Sequence, residues 1–196
     1  MEEKINIGEL LFKGEPINSA FKAKYNETSY LITTAHGALD GNILDYKIII
    51  DGKEYNFKGR RIKRKHIRKK TENKNQELLD YLVIPIDQDE GGFELDKSFK
   101  ISNKLTLKPS QENKIDWELV NSEFGILTHE YFSPQGNSVF HNLGEATGVN
   151  KKGYSGSPVF NDKHELIGLN IAGREDGKSN NHFIKISDLL NEMIFR

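Results

Sequence analysis

The 196-residue chain contains no cysteine. A disulfide framework and a cysteine-based metal cluster are thereby excluded, and the absence points toward a reducing compartment. Long apolar runs are missing as well: nothing approaches the ~18 consecutive apolar residues needed to span a membrane as a helix. The first residues, MEEKINIGELLF, carry acids where a secretory leader would carry bases, and no small-residue cleavage site follows. A cytoplasmic setting is therefore expected, with secretion as the alternative if a leader or propeptide has been removed. Charge of one sign is scarce too. The formal net charge is -1, so nothing global draws the chain to nucleic acid or to an anionic membrane. Cofactor motifs are also absent: there is no Gly-x-Gly-x-x-Gly, no phosphate loop and no pair of histidines four apart on a helix. His66, His129, His141, His164 and His182 read as polar or strand-edge residues. No cofactor or metal is expected.

What is present is a succession of short β-like runs. Ile5 to Phe12, Ala20 to Lys24, Tyr30 to Thr33, Tyr46 to Ile50 and Leu82 to Ile86 are rich in β-branched and aromatic residues. So are Phe124 to Thr128, Ser157 to Phe160, Glu165 to Ile171 and His182 to Ile186. Asp51-Gly52 between two such runs reads as a hairpin turn. Thr71 to Glu77 and Pro134 to Asn137 read as exposed loops. Strand following strand argues for a sandwich or barrel. One helix is expected at 187–195, capped by Ser187, with Leu189, Leu190, Met193 and Ile194 on one face. The charge is uneven: eight Lys or Arg and no acid lie between Gly59 and Lys70, and an acidic stretch runs from Asp87 to Asp96. The basic run reads either as a charged edge strand that discourages aggregation or as an electrostatic footprint for nucleic acid or an acidic partner.

Three local patterns carry chemistry. An apolar strand ends in Thr34-Ala35-His36; Asp80 stands at the mouth of the apolar run Tyr81 to Pro85; and Ser155 sits in a Gly-rich turn, Gly153-Tyr-Ser-Gly-Ser-Pro158, that feeds a further strand. A serine hydroxyl is a weak nucleophile at neutral pH and needs an adjacent base such as a neutral imidazole. The imidazole needs a carboxylate that fixes its tautomer and stabilises its charged form. The oxyanion needs donors already in place, which the N–H groups of Gly153 and Ser155 would supply. Each piece alone is an ordinary strand end, strand acid or turn. The order His, Asp, Ser, with separations of 44 and 75 residues, suits two residues on one sub-barrel and one on the next.

These segments resemble the trypsin/chymotrypsin-like serine peptidases. Thr34-Ala35-His36 is similar to their Thr-Ala-Ala-His. Asp80-Tyr-Leu-Val-Ile is similar to their Asp-[Ile/Leu]-Ala-Leu-Leu, and Gly153-Tyr-Ser-Gly-Ser-Pro-Val-Phe160 to their Gly-[Asp/Asn]-Ser-Gly-[Gly/Ser]-Pro-Val. The run from Ser155 to Lys163 most resembles bacterial glutamyl endopeptidases. The resemblance implies an all-β fold of two six-stranded antiparallel barrels (about 1–100 and 101–186) with a C-terminal helix. It further implies a serine endopeptidase with catalytic His36, Asp80 and Ser155, acting on protein or peptide substrates; such an enzyme needs restraint, for which a regulatory partner protein or domain is the candidate. Asn170, Ile171, Ala172 and Gly173 would pair with substrate backbone, and Val149 and Asn150 would stand near the base of the specificity pocket. Asn170 replaces the histidine that reads a substrate glutamate in glutamyl endopeptidases, so that preference does not carry over. Tyr154 replaces the Asp or Asn of the family. It cannot form the ion pair to a freshly cut N-terminus, and it leaves two states open: an assembled oxyanion turn, or one that forms only when substrate or a partner arrives.

Overall fold

The structure is a computed structural model. It describes residues 6–39, 41–70, 76–102, 104–110, 117–123, 142–147, 152–172 and 180–193. The expected Phe124 to Thr128 strand, the Pro134 to Asn137 loop and most of the Thr71 to Glu77 loop lie outside these residues, as do Val149, Asn150 and Gly173. No helix among the described residues is long and apolar enough to cross a membrane.

The fold is mostly β, with two curled antiparallel sheets and one C-terminal helix. The first sheet is built from β1 (Ile7–Phe12), β2 (Glu15–Tyr25), β3 (Thr28–Thr33), β4 (Tyr46–Ile50), β5 (Lys53–Asn56), β6 (Lys63–Lys70) and β7 (Gln76–Ile86). Their order is β5-β4-β1-β2-β3-β7-β6, and the two-residue β8 (Phe93–Glu94) pairs with β2, so this sheet has eight strands where six were expected. The second sheet closes into a six-stranded barrel of β9 (Lys104–Leu107), β10 (Trp117–Glu123), β11 (Leu143–Thr147), β12 (Pro158–Phe160), β13 (Leu166–Ala172) and β14 (Asn180–Lys185).

Local chemistry explains the turns. Ile50 pairs with Lys53, which leaves Asp51 and Gly52 as a two-residue loop with φ of 52° and 71°. Positive φ at both positions is what a type I′ hairpin requires, and Asp-Gly meets it at low cost. The continuous apolar run of β7 has an equally plain reason. Leu82, Ile84 and Ile86 fill the first sheet's interior with Leu10, Leu31 and Ile48. Leu79, Tyr81 and Val83 face the other way, onto Leu169 and Ile171 of the second barrel and Leu189 and Leu190 of the helix. A strand buried on both faces reads as an unbroken hydrophobic run rather than an alternation.

Several expected boundaries move: β2 runs Glu15–Tyr25 where Ala20 to Lys24 was expected, and two further shifts affect Asp80 and the helix. β7 begins at Gln76, so Asp80 lies inside a long strand rather than at its mouth; pairing with β6, the basic run, extends β7 backwards. The helix α1 spans Ile186–Met193, and Ser187 lies within its first turn rather than before it. Ile186 is buried with Leu189, Leu190 and Met193, and the chain passes directly from β14 into the helix to bury it. Inside the first turn, Asp188 has its carboxyl held above the ordinary value, chiefly by burial, with Lys185 opposing and Glu77 adding to the shift.

The acidic stretch is matched by lysines of β2 and β5, not by the basic run. Glu90 accepts from Lys53 Nζ at 2.6 Å and from the Tyr55 hydroxyl at 2.5 Å, and Lys22 Nζ lies 4.0 Å away. Partial burial alone would raise the Glu90 carboxyl, but the bonds from Lys53 and Tyr55 and the nearby charges outweigh it and hold it below its usual 4.5. A carboxyl depressed on folding adds stability above its unfolded value, and that contribution fades as pH falls through the folded value. Replacing Glu90 with Gln is expected to cost about 1–2 kcal/mol at pH 7. The gap between variant and parent should close below the ordinary carboxylate range. Thermal unfolding of both proteins across pH 3 to 7 checks this.

Candidate active site

Asp80 is fully buried and positioned by register. β3 pairs with β7 up to Thr33 opposite Leu82, so the chain of β3 turns away two residues before it would reach Asp80. The turn drops the backbone N–H groups of Ala35 and His36 onto Asp80 Oδ1, both at 2.9 Å. The His36 ring then donates from Nδ1 to Asp80 Oδ2 at 2.6 Å. The carboxylate thus accepts three donors, which fixes both the backbone and the ring of His36. With the proton on Nδ1, the lone pair is left on Nε2.

His36 opens a short 3-10 turn, His36–Ala38. This turn is held from two sides. Asn18 Nδ2 donates to Thr34 Oγ1 at 3.0 Å on one side. The Arg64 guanidinium donates to the Ala38 carbonyl on the other.

Ser155 comes from the second barrel, and a set of bonds to Ser19 of β2 joins the two. The Ser19 N–H donates to Gly153 O at 3.0 Å and to Ser155 O at 2.9 Å, and the Ser19 hydroxyl donates to Gly153 O at 2.9 Å. Ser19 O in turn accepts from Thr33 Oγ1 at 2.7 Å, at the end of the strand that leads into the His36 segment. The Ser155 turn therefore rests one hydrogen-bond layer from the His36 segment. Gly156 makes this approach possible. Its φ is +88°, and a Cβ there would sit 1.9 Å from Ser19 O and 2.6 Å from Thr33 Oγ1. Only glycine fits both the conformation and the space.

The carbonyls of Gly153 and Ser155 both accept from Ser19. Among the described residues, no hydrogen bond takes the N–H of Gly153 or of Ser155. Two unspent donors on a fixed turn are what an oxyanion site needs. The Ser155 hydroxyl donates to the Ile171 carbonyl at 3.2 Å; among the described residues it has no bond to His36. A χ1 rotation of this half-exposed side chain is the step that would join nucleophile and base.

The side chain of Tyr154 belongs to the core of the second barrel. Its ring is buried in the second barrel with Leu105, Leu107, Val159, Ile167 and Phe183. Its carbonyl accepts from Ser157 N at 3.1 Å and from Asn170 Nδ2 at 3.0 Å. The turn between Gly153 and Ser155 is pinned by core packing in place of an ion pair. Asn170 is buried and spends its amide on this turn, while its backbone accepts from Gly156 N and donates to Ser157 O. Ile171 and Ala172 end β13 beside the turn.

The sequence missed Asn18, Ser19, Thr33 and Arg64. None carries a local signal, because each acts through contacts across strands or between the sheets. His66 was read as a strand-edge residue. The structure pairs it with Asp80 across β6 and β7 and brings its ring beside that of His36; a search for histidines four apart on a helix cannot find such a pair.

Solved structures match the fold over nearly the whole length of the chain. The MamO protease domain of Magnetospirillum magneticum, in its apo form, superposes with a TM-score of 0.63 at 14% identity, covering 98% of this chain and 97% of that one. The active form of the Rv3671c protease of M. tuberculosis gives 0.61 at 10% identity, over 97% and 80%. The HRV-C 3C protein with rupintrivir gives 0.56 at 13%, over 93% and 92%. This is the chymotrypsin-like protease fold. At these identities the likeness is one of fold. No family profile matches the sequence, and no curated protein matches it. A glutamyl endopeptidase specificity finds no support among these structures.

Proposed function

We propose that the chain is a serine endopeptidase that cleaves peptide bonds through an acyl-enzyme. Ser155 Oγ attacks the scissile carbonyl carbon as His36 Nε2 takes its proton. The tetrahedral oxyanion is held by the N–H groups of Gly153 and Ser155. Collapse breaks the C–N bond, and His36 returns the proton to the leaving amine. Water then enters and gives a proton to His36 as its oxygen adds to the acyl carbon; the C–O bond to Ser155 then breaks and His36 returns the proton to Ser155 Oγ. Asp80 acts through His36, holding its tautomer and stabilising the imidazolium. Substrate would lie along 170–173 as an added strand.

The observation that carries this reading is the buried Asp80 carboxylate accepting from both His36 N and His36 Nδ1, with the Ser155 turn tied through Ser19 to Thr33, at the end of the strand that leads to His36. A second reading, a dormant protease-fold binding module, has one observation in its favour: the Ser155 hydroxyl bonds to Ile171 O. A fluorogenic peptide library separates the two. Hydrolysis that disappears in Ser155→Ala supports the first; no hydrolysis by the folded parent, with or without a partner protein, supports the second. The basic strand fits a structural role better than a nucleic-acid footprint. Lys65 Nζ meets Glu192 of α1 at 2.7 Å, Lys63 donates to the Glu192 carbonyl, and Arg64 holds the His36 turn.

A further inference from the structure

The rings of His36 and His66 lie 6.4 Å apart between centroids, with planes at 57°. We propose that they form a binding site for a divalent transition ion such as Zn2+ at the rim of the candidate active site.

Strand pairing puts His66 there. It is directly opposite Asp80 in the antiparallel pair of β6 and β7, and directly opposed residues project to the same face. Asp80 lies against His36, so His66 projects toward His36 as well. His66 is exposed on the edge strand of its sheet, and the His36 side chain retains 32% of its accessible surface. Both rings are thus open to a solvated ion.

The chemistry of His36 suits a ligand. A histidine that binds zinc commonly gives its other ring N–H to a carboxylate, which orients the ring and raises its basicity. The Nδ1 to Asp80 bond of 2.6 Å supplies that arrangement and leaves Nε2 for the ion. Zn–N bonds of roughly 2.0–2.1 Å place two tetrahedral imidazole ligands roughly 5 Å apart between centroids. Rotation of the exposed His66 side chain closes the remaining gap.

The neighbouring cations are largely engaged elsewhere. Arg64, on the same face of β6, donates to the Ala38 carbonyl, and Lys63 and Lys65 on the other face are tied to Glu192. Among the described residues no group of three or more His, Cys, Asp or Glu converges to hold a metal. The site is therefore a two-histidine clamp with water in its remaining positions, and binding is reversible. An ion on Nε2 occupies the lone pair that would accept the proton of Ser155. This regulatory consequence rests on the endopeptidase reading; the metal site itself does not.

Calorimetric titration of the whole chain with zinc chloride tests the site. The parent and Ser155→Ala should each bind one ion per chain, and His66→Ala should bind at least about tenfold more weakly. His66→Gln, which keeps the size of the side chain, should show the same loss, and circular dichroism reports whether each variant is folded. Equal binding by parent and His66 variants, or no binding by the parent at micromolar zinc, overturns the proposal. Peptide hydrolysis measured alongside keeps the two readings apart. Zinc should suppress it in the parent, a chelator should restore it, and His66→Ala should resist zinc. One-site binding without hydrolysis in metal-free protein would sink the endopeptidase reading and leave the metal site standing. Hydrolysis untouched by zinc would do the reverse.

Discussion

Replacing Asp80 with Asn is expected to lower the rate of peptide hydrolysis about 10⁴-fold while the protein still folds. The amide keeps the shape of the carboxyl and retains an oxygen for the Ala35 and His36 N–H groups, which both meet Oδ1. What it cannot do is accept from His36 Nδ1 where Oδ2 does now. An Asn NH₂ at that place donates, so the imidazole must turn its lone pair to Nδ1 and its proton to Nε2. The base then faces Ser155 with a proton already on it. Raising pH should not restore the rate, since the fault lies in the tautomer and not in the charge. Asp80→Ala should be worse in a different way. Three N–H donors would lose their acceptor inside the protein, each unsatisfied group costing about 1–3 kcal/mol. Thermal unfolding of the two variants beside their hydrolysis rates separates the effects: Asn should cost rate, and Ala should cost rate and stability together.

Tyr154→Ala should destabilise the chain by about 3–5 kcal/mol, the range for removing a large buried ring. The ring is 1% exposed and fills the barrel between Leu105, Leu107, Val159, Ile167 and Phe183. Activity should fall further than the loss of folded protein explains. Tyr154 is the residue between the two candidate oxyanion donors, and its carbonyl is the acceptor for Ser157 N and Asn170 Nδ2. Freed from the core, the turn gains alternative backbone states, and donors that are not fixed in advance stabilise an oxyanion poorly. The check is hydrolysis at a temperature where unfolding curves show the variant fully folded. A rate equal to the parent's there would mean that the turn is held by Ser19 alone.

Much of this site is readable in the sequence because its chemistry is local. Thr-Ala-His at a strand end, an acid within an apolar run and a serine between glycines each keep their identity whatever surrounds them. The hairpin at Asp51-Gly52 is legible for the same reason, since Asp-Gly states its own backbone conformation. What stayed hidden depends on register. Asp80 looked like the start of a strand because the residues before it, Gln76 to Leu79, gain their partner only from β6. Tyr154 looked like an obstacle beside the oxyanion turn because its destination, a core assembled from four strands of the second barrel, has no sequence signal. Ser19 is one serine among many until the fold sets it under Gly153 and Ser155. The basic run was legible as an edge strand, but its ties to Glu192 and Ala38 and its delivery of His66 to His36 are products of three-dimensional pairing.

The central claim is that His36, Asp80 and the turn around Ser155 assemble into a competent nucleophile within this chain. Incubation with a fluorophosphonate, followed by mass mapping of the labelled peptide, tests it most directly. The account predicts a single adduct on Ser155, absent from Ser155→Ala and strongly slowed in His36→Ala and Asp80→Asn. A folded parent that takes no label, or takes it at another residue with Ser155 untouched, would contradict it.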